Sequence, residues 1–366
     1  MILPYAMALP KLGTLQECSD FSKTVTPFLP QLYALPRQIL GTVLNGGSFL
    51  KLYMETNPFI SGLGASIFLG GVFLVAGEVN KNYSQVDRFW SILPTVYIAH
   101  FATWARLAGI PSRRIDAALL FSTIWSTRLT YNYWRKGGYG IGHEDYRWQI
   151  VRDMLPKWAF HILNWTFISF IQSVLLYMFA SPVYVLLLAT QFEPELSTAD
   201  IGFTVMQLGL ILTEFIADHQ QWVFQSAKKE YQTSGHVPAG HKQADLDRGF
   251  ITSGLWAYSR HPNFAAEQSI WLTLYQWGCF ATNTLYNWTI VSPIMLLSVF
   301  QGSTWLTERI TAGKYSEYSA YQKQVGTFVP KTLKGYKTTV PKVIRTSDLA
   351  KKLQEKEKEK ESKKQQ

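Results

Sequence analysis

Arginine, histidine, asparagine and glutamate side chains follow one another in the segment 249–268, directly before a long apolar run. Pro262 lacks a backbone donor and disfavours helix at the preceding residue, so the chain should be irregular there before a helix resumes. In a membrane, irregular backbone survives only where it is buried in protein or lines a cavity. The segment therefore predicts a polar site at a membrane edge, lined by Tyr258, Arg260, His261, Asn263 and Glu267.

A second set of polar residues begins inside an apolar block. Arg128, Asn132 and Arg135 are spaced four and three residues apart, which places them on one face of a helix. An arginine within a membrane span is costly and usually faces a polar interior or a ligand. Arg135, Lys136 and Arg147 could bind phosphates, while Glu144-Asp145 could order the arginines or accept hydrogen bonds from ribose hydroxyls. A salt-bridged loop is the alternative interpretation.

Two further polar positions lie at the ends of apolar blocks. Asp87-Arg88-Phe89-Trp90 stands at the start of one block, where an interfacial anchor is an equally good interpretation. Asp218 ends another block and opens the loop 218–262 that leads to the first segment. We therefore group Asp218 with that segment.

The composition indicates a polytopic membrane protein. Hydrophobic residues make up 47% of the 366 residues and charged residues 16%. Because a spanning helix needs about 20 mostly apolar residues, the sequence predicts an all-α bundle of about seven membrane helices. The predicted spans lie near 58–77, 89–107, 115–134, 158–180, 201–217, 264–281 and 288–306. The stretch 158–190, interrupted by Ser181-Pro182, could hold one long span or a span and a re-entrant piece.

Three regions follow from this pattern: an N-terminal segment 1–57, partly interfacial or mobile, a transmembrane domain 58–330, and a basic tail 331–366. The tail contains twelve Lys or Arg against five Asp or Glu, which favours the cytosolic side of the membrane. With seven spans, the polar loops 78–88, 135–157 and 218–262 then face the cytosol, although arginines at 106, 113 and 114 disagree with the rule. Sugar on the acceptor pattern Asn82-Tyr83-Ser84 would overturn this topology.

Metal and nucleic-acid chemistry are disfavoured. No two of the seven histidines have the spacing of a helical metal site, and the two cysteines are far apart. The basic charge lies mainly in the tail, mixed with glutamate and without interleaved aromatics, so anionic lipid headgroups are better partners than nucleic acid. The final residues 363–366, Lys-Lys-Gln-Gln, resemble a di-lysine retrieval signal of endoplasmic reticulum membrane proteins.

The motifs together resemble a known superfamily over roughly 85–330. Gly254-Leu255-Trp256, 259–264 (Ser-Arg-His-Pro-Asn-Phe), Glu267 and Glu308-Arg309 look like the carboxy-terminal domain of the steroid 5-alpha-reductase superfamily. The upstream positions resemble its uncharacterised microbial and fungal membrane branch, the domain of unknown function 1295; they are Asp87, Trp90, Arg128, Arg135, Glu144, Asp145 and Arg147.

The resemblance implies a seven-span enzyme of the endoplasmic reticulum membrane. Such an enzyme would take NADPH from the cytosol and reduce a carbon–carbon double bond conjugated to a carbonyl in a sterol, fatty or polyprenyl lipid. The implied cofactor contacts are Asp218, Arg260, His261, Asn263 and Glu267, with Arg128, Arg135 and Arg147 as further phosphate ligands. The candidate proton donors are Tyr258, Tyr131 and Tyr139.

One departure from the superfamily pattern bears on the reaction. The reductase motif usually reads Asn-Tyr-Phe-Gly-Glu, whereas this chain has Asn-Phe-Ala-Ala-Glu at 263–267. The same Arg-His-Pro segment also resembles the isoprenylcysteine carboxyl methyltransferases, which bind S-adenosylmethionine. A membrane scaffold that keeps a relic site is a third reading, because a fold does not fix a function.

Overall fold

The computed structural model describes residues 7–110 and 113–337, so most of the tail 331–366 lies outside the described residues. Within that part of the chain the regular elements are helices, and the one β-type contact is an isolated parallel bridge between Ser259 and Gly326. The all-α prediction is confirmed. The helices are α1 (Phe21–Thr24), α2 (Leu29–Leu44), α3 (Phe49–Glu55), α4 (Pro58–Asn80), α5 (Gln85–Phe89), α6 (Leu93–Leu107), α7 (Arg113–Arg135), α8 (Tyr146–Met154), α9 (Lys157–Leu163), α10 (Gln172–Ala189), α11 (Thr198–Ser234), α12 (Gln243–Arg248), α13 (Pro262–Ala281), α14 (Val291–Lys314) and α15 (Tyr318–Gln324).

Four helices of the described residues are long and apolar enough to cross a membrane: Pro58–Asn80, Lys157–Ala189, Thr198–Ser234 and Trp288–Lys314. They correspond to four of the seven predicted spans. The other three fall on α6, α7 and α13, which do not combine that length with that apolarity. Helix α6 has 15 residues, because the predicted span 89–107 divides between α5 and α6. The chain is thus a membrane protein by its helices.

The stretch 158–190 forms one continuous helical run rather than two pieces. A π-helical segment, Asn164–Ile171, joins α9 to α10. Pro182 lies inside α10 and cannot donate to the carbonyl of Met178 four residues earlier. The Ser181 hydroxyl donates to that carbonyl instead, at 2.7 Å. The hydroxyl replaces the missing backbone donor, so the helix passes through the proline without ending.

Helix α11 extends much further than its apolar pattern indicates. The predicted span ends at residue 217, whereas the helix continues to Ser234. The prediction that Asp218 ends a helix and starts a loop is therefore wrong at that boundary. The physical reason is that the residues after 217, although polar, are good helix formers without a proline or glycine until Gly235. Asp218 accordingly points from the middle of a helix.

The chain divides into two compact units. Unit 1 comprises Met1–Gln220 and Pro262–Trp305, and unit 2 comprises Gln221–His261 and Leu306–Gln366. The hydrophobic core of unit 1 is built around α10, which is buried along nearly its whole length and packs against α4, α6 and α13. Two smaller apolar clusters form unit 2, one around Trp256 and one around Tyr321. The three predicted regions, with boundaries after residues 57 and 330, stay predictions.

Two buried ion pairs join α7 to α11 within unit 1. Arg114 Nε lies 2.9 Å from Asp200 near the start of both helices, and Trp277 Nε1 donates to the same carboxylate at 2.7 Å. Arg128 lies 2.5 Å from Asp218 further along both. Because both contacts advance in the same direction, α7 and α11 run parallel. Helix α13 runs antiparallel to them, since its first turns meet the second pair and Trp277 meets the first.

Candidate functional site

A buried polar cluster in unit 1 is centred on Arg128. The Arg128 guanidinium lies 2.7 Å from Glu214 and 2.5 Å from Asp218, both on α11, and 3.8 Å from Glu267 on α13. Only 5% of the Arg128 side chain is exposed. We refer to Arg128, Asn132, Glu214, Asp218, Asn263 and Glu267 as the Arg128 cluster. Three helices therefore direct charged groups to one water-poor place.

Glu267 is held by two tryptophans. Trp125 Nε1 donates to Glu267 Oε2 at 2.7 Å, and Trp271 Nε1 donates to Oε1 at 2.9 Å. The two indole rings meet edge to face with centroids 5.0 Å apart. Because each carboxylate oxygen accepts from a rigid aromatic donor, the orientation of Glu267 is fixed by the fold.

Asp218 accepts from two amides as well as from the arginine. Asn132 Nδ2 donates to Asp218 Oδ2 at 2.7 Å, and Asn263 Nδ2 donates to Oδ1 at 3.0 Å. Asn132 lies one turn after Arg128 on α7, as the spacing predicted, while Asn263 lies in the first turn of α13. The sequence placed these residues in three separate groups, and the fold brings them together.

The Arg128 cluster has more acidic than basic groups. Three carboxyl groups surround one guanidinium, and fully ionised they would leave a formal excess of two negative charges in a buried place. Burying uncompensated charge costs several kcal/mol or more, which proteins avoid by holding a proton or by pairing the charge. The cluster therefore holds a proton among its carboxyl groups or pairs with a further positive or hydrogen-bond-donating group.

Four buried polar side-chain atoms of the cluster have no hydrogen-bond partner within the described residues: the donors Arg128 Nε and Nη2 and the acceptors Glu214 Oε2 and Asn263 Oδ1. Most buried polar side-chain atoms are satisfied by protein or by ordered water, so such atoms need an explanation. A bound group that offers both an acceptor and a donor, such as a carboxamide, would provide hydrogen-bond partners for Arg128 Nε and Asn263 Oδ1. This is the observation by which the cluster fits a polar ligand.

Arg260 and His261 lie in a separate network within unit 2. Arg260 Nε and Nη2 form a two-pronged pair with Glu308 at 2.6 and 3.0 Å. Its remaining donors reach Thr327 Oγ1 at 2.8 Å and the main-chain carbonyls of Gln322 and Val325. His261 Nε2 lies 3.0 Å from the same Glu308 carboxylate. These contacts tie the Arg-His-Pro segment to the end of α15 and the chain that follows it, so every nitrogen of the Arg260 guanidinium is used inside the protein.

Arg147 lies in the first turn of α8 in unit 1. It forms a two-pronged pair with Asp145 at 2.8 and 2.9 Å and donates to Ser303 at 3.0 Å. Burial acts to raise the pKa of Asp145, but the hydrogen bonds and charge of Arg147 hold that pKa below its usual value. Arg147 therefore forms a salt bridge, as in the alternative interpretation of this segment, but it lies on a helix and not in a loop.

The residues around Arg147 also contact the segment after α4. Asn82 Nδ2 donates to the carbonyl of His143 at 2.9 Å, and Trp148 Nε1 donates to Asp87 at 2.7 Å. Burial raises the pKa of Asp87, opposed by the charge of Arg147. Asn82 is buried, so in the folded protein its amide has no room for a sugar.

The three candidate proton donors do not lie in the Arg128 cluster. Tyr131 and Tyr139 line an open groove of about 560 Å³ together with Thr130 and Trp134. Tyr131 and Trp134 are exposed whereas Arg128 is buried. The groove is thus open to the surface, while the cluster lies inside unit 1.

Three further predicted residues, Tyr139, Arg135 and Tyr258, have contacts or positions of their own. Tyr139 donates to the carbonyl of Arg88 at 3.0 Å. The Arg135 guanidinium lies 5.5 Å from the centre of the Tyr131 ring, in a cation–π contact. Tyr258 is in unit 2, with 42% of its surface exposed. None of these contacts joins the Arg128 cluster among the described residues.

Sequence reasoning missed Glu214, Trp125 and Trp271. Glu214 precedes Asp218 by four residues inside an apolar run, and two acids on one face of a span are a signal for a polar interior. The tryptophans gave no comparable signal, because aromatic residues are common in buried helices. Phe264, found where the reductase motif has tyrosine, packs edge to face on Phe300 with centroids 4.8 Å apart.

Comparisons with known proteins give a family. The model of the family described as protein of unknown function (DUF1295) matches residues 72–325. The chain belongs to the DUF1295 family. It is also similar to the uncharacterized protein C594.04c of Schizosaccharomyces pombe, with 40% identity over 328 residues that cover 89% of this chain and 94% of that protein. No solved structure matches this DUF1295 protein.

Proposed function

We propose that this DUF1295 protein is a membrane oxidoreductase that uses NADPH to reduce a carbon–carbon double bond conjugated to a carbonyl in a lipid. The observation that carries the proposal is the meeting of Arg128, Asp218, Asn263 and Glu267 at one buried place. The resemblance to the steroid 5-alpha-reductase superfamily implied a cofactor role for each of the four. That link between the two families is part of the proposal.

The donor and acceptor left open at Arg128 Nε and Asn263 Oδ1 fit the carboxamide of a nicotinamide ring. Bound NADPH would supply the hydride, which is chemistry that belongs to the cofactor. The protein's part is to hold the ring in one orientation through side chains that are themselves fixed, as Glu267 is by two indoles. Tyr131 and Tyr139 are exposed and line an open groove, which makes them weaker candidates for proton donation than groups of the buried cluster.

The proposal includes seven spans, with the C-terminus cytosolic in the endoplasmic reticulum membrane. Support comes from the parallel course of α7 and α11 and the antiparallel course of α13. Helices α7 and α13 both contact the candidate span α11 near their two ends, so they lie at the same depth in the membrane as α11. Polar residues on α7 and α13 lower their apolarity but face the interior, as intramembrane charges do. A glycosylation-site scan of the loops would test this: sugar accepted within 135–157 would exclude the proposed orientation.

Cofactor binding is the decisive test. Full-length protein in lipid nanodiscs would be titrated with NADPH, NADH and S-adenosylmethionine by isothermal calorimetry. We expect saturable NADPH binding that Asn263→Leu weakens at least tenfold, or about 1.4 kcal/mol. Gln268→Leu is the matched control, because Gln268 is buried on the same helix and donates only to the carbonyl of Phe264 within it.

The outcomes separate the possible functions. Binding of S-adenosylmethionine in place of NADPH would move the protein to the methyltransferase reading, and binding of neither would favour a scaffold. If NADPH binds, its oxidation in the presence of sterol, fatty and polyprenyl enones would identify the lipid class. Binding without oxidation of NADPH by any enone would reject the reductase reaction while keeping the site.

A further inference from the structure

Unit 2 contains a second place suited to a ligand, away from the Arg260 network. Lys228 Nζ donates to the hydroxyl of Tyr315 at 3.2 Å and to the carbonyl of Gly249 at 2.9 Å. The Nζ atoms of Lys228 and Lys314 each lie 5.5 Å from the centre of the Tyr315 ring. Two ammonium groups and one phenol therefore share a small region. We call Lys228, Lys314 and Tyr315 the Lys228 site.

Four acidic residues of unit 2 have partners outside this site. Glu308 forms an ion pair with Arg260. Arg248 lies 2.9 Å from Asp245 and 3.4 Å from Glu317. Asp247 accepts from Tyr231 at 2.9 Å. Within residues 7–110 and 113–337 neither lysine of the Lys228 site forms an ion pair with a carboxylate. Among the described residues, the polar contacts of this positive charge are therefore with a phenol and a main-chain carbonyl.

The pKa of Tyr315 is consistent with this surplus of positive charge. Burial acts to raise the pKa of Tyr315, but the hydrogen bond from Lys228 and the charges of both lysines lower it below its usual value. An arrangement that stabilises a phenolate would also stabilise another oxyanion at the same position.

The backbone beside the site is shaped to let Tyr315 approach. Gly249 has φ +85°, and a Cβ atom built on it would fall 2.1 Å from Cε1 of Tyr315. Only glycine allows both that backbone conformation and the ring against it. The phenol is therefore held firmly next to the Lys228 ammonium by the turn that ends α12.

We infer that the Lys228 site binds the phosphate of a phosphate monoester. Two lysine ammonium groups provide the point charges and the rotatable donors that such a group takes, and the Tyr315 hydroxyl adds a further donor. The phosphate could belong to a nucleotide 2′-phosphate, to a lipid headgroup or to free phosphate, and these share the chemistry recognised here. This inference stands on unit 2 alone and does not depend on the proposed reductase function.

Fluorine NMR on full-length protein in phosphatidylcholine nanodiscs tests it. The protein would carry 3-fluorotyrosine, with the Tyr315 resonance assigned through Tyr315→Phe. Inorganic phosphate, 2′-AMP and short-chain phosphatidic acid would be titrated against chloride at matched ionic strength. We expect a saturable shift of the Tyr315 resonance and a rise of its pKa, because the dianion neutralises the lysines.

Variants decide whether these lysines are responsible. Lys314→Gln should weaken binding about fivefold, the upper range for an exposed ionic contact. Lys229→Gln, the next residue on α11 and exposed, should leave it unchanged. The tightest of the three probes identifies the source of the phosphate. A response no larger than with chloride, or equal affinity in Lys314→Gln, would overturn the inference, whether or not NADPH binds.

Discussion

Asp218 lies 2.5 Å from the guanidinium of Arg128, and the same two helices repeat this pairing between Arg114 and Asp200. The two pairs share residue types and a buried arginine, but they differ in their surroundings. Arg128 has two more carboxylates within 3.8 Å, whereas Arg114 has only the exposed Glu193 at 3.9 Å. The first pair lies in a cluster with excess acid, and the second is balanced.

This difference predicts unequal costs of the same substitution. Asp200→Asn leaves Arg114 buried without a close counter-charge and should lower the free energy of unfolding by about 3 to 5 kcal/mol. Asp218→Asn should cost about 1 kcal/mol, because two carboxylates still face Arg128. Unfolding in detergent by sodium dodecyl sulfate titration measures both. Equal losses would show that the carboxyl groups around Arg128 do not compensate for one another.

The two glutamates of the Arg128 cluster should also differ in how much stability is lost when each is replaced by glutamine. Glu267→Gln turns one acceptor into a donor that faces an indole N–H, so a buried donor loses its partner at about 1 to 3 kcal/mol. Glu214→Gln removes one carboxyl charge from an acidic cluster and should be nearly neutral for stability. Thermal unfolding and hydrogen exchange of the Trp125 and Trp271 indoles provide the readouts. Faster indole exchange in Glu214→Gln than in Glu267→Gln would contradict this assignment.

Arg260→Ala should act mainly on the folding of unit 2. The substitution leaves Glu308 largely buried and removes the contacts to residues 322, 325 and 327, at about 3 to 5 kcal/mol. Hydrogen exchange followed by mass spectrometry should show lost protection in 318–327 and unchanged protection in α10. Thr327→Val, which removes a single contact, is the milder control. Unchanged protection in Arg260→Ala would return this arginine to the list of direct ligand contacts.

Two glycine substitutions should have opposite effects on the stability of the protein. Gly249→Ala forces a Cβ into the Tyr315 ring and an unfavourable φ, so it should destabilise unit 2 by about 1 to 3 kcal/mol. Gly302→Ala lies within α14 with no neighbour within 4 Å of the new Cβ, and should stabilise by about 0.5 to 1 kcal/mol. The midpoints of thermal unfolding distinguish the two, and a stabilised Gly249→Ala would exclude close packing of Tyr315.

The sequence was informative where a local pattern decides the structure. The spacing of Arg128 and Asn132 placed both on one buried face, and Pro262 marked the start of α13 after an irregular segment. The helices followed the apolar blocks because a membrane span needs length and apolarity, and both can be read directly from the sequence.

Long-range pairing was not visible in the same way. The resemblance implied a ligand contact for Arg260, but its ion pair with Glu308 was not foreseen, because that residue lies 48 positions away. Asp218 was assigned to a loop because polarity was read as the end of a helix, while propensity continued α11 to Ser234. Glu214 was overlooked because its apolar neighbours concealed it.

The two ion pairs between α7 and α11 fix the register of these helices. Arg114 and Arg128 are 14 residues apart on α7, and the acids that they contact at Asp200 and Glu214 are also 14 residues apart on α11. A one-residue insertion between the pairs in either helix would rotate one end by about 100° against the other, so both pairs could not form together. Within this interval the chain should tolerate many substitutions of its lipid-facing residues but no change in length.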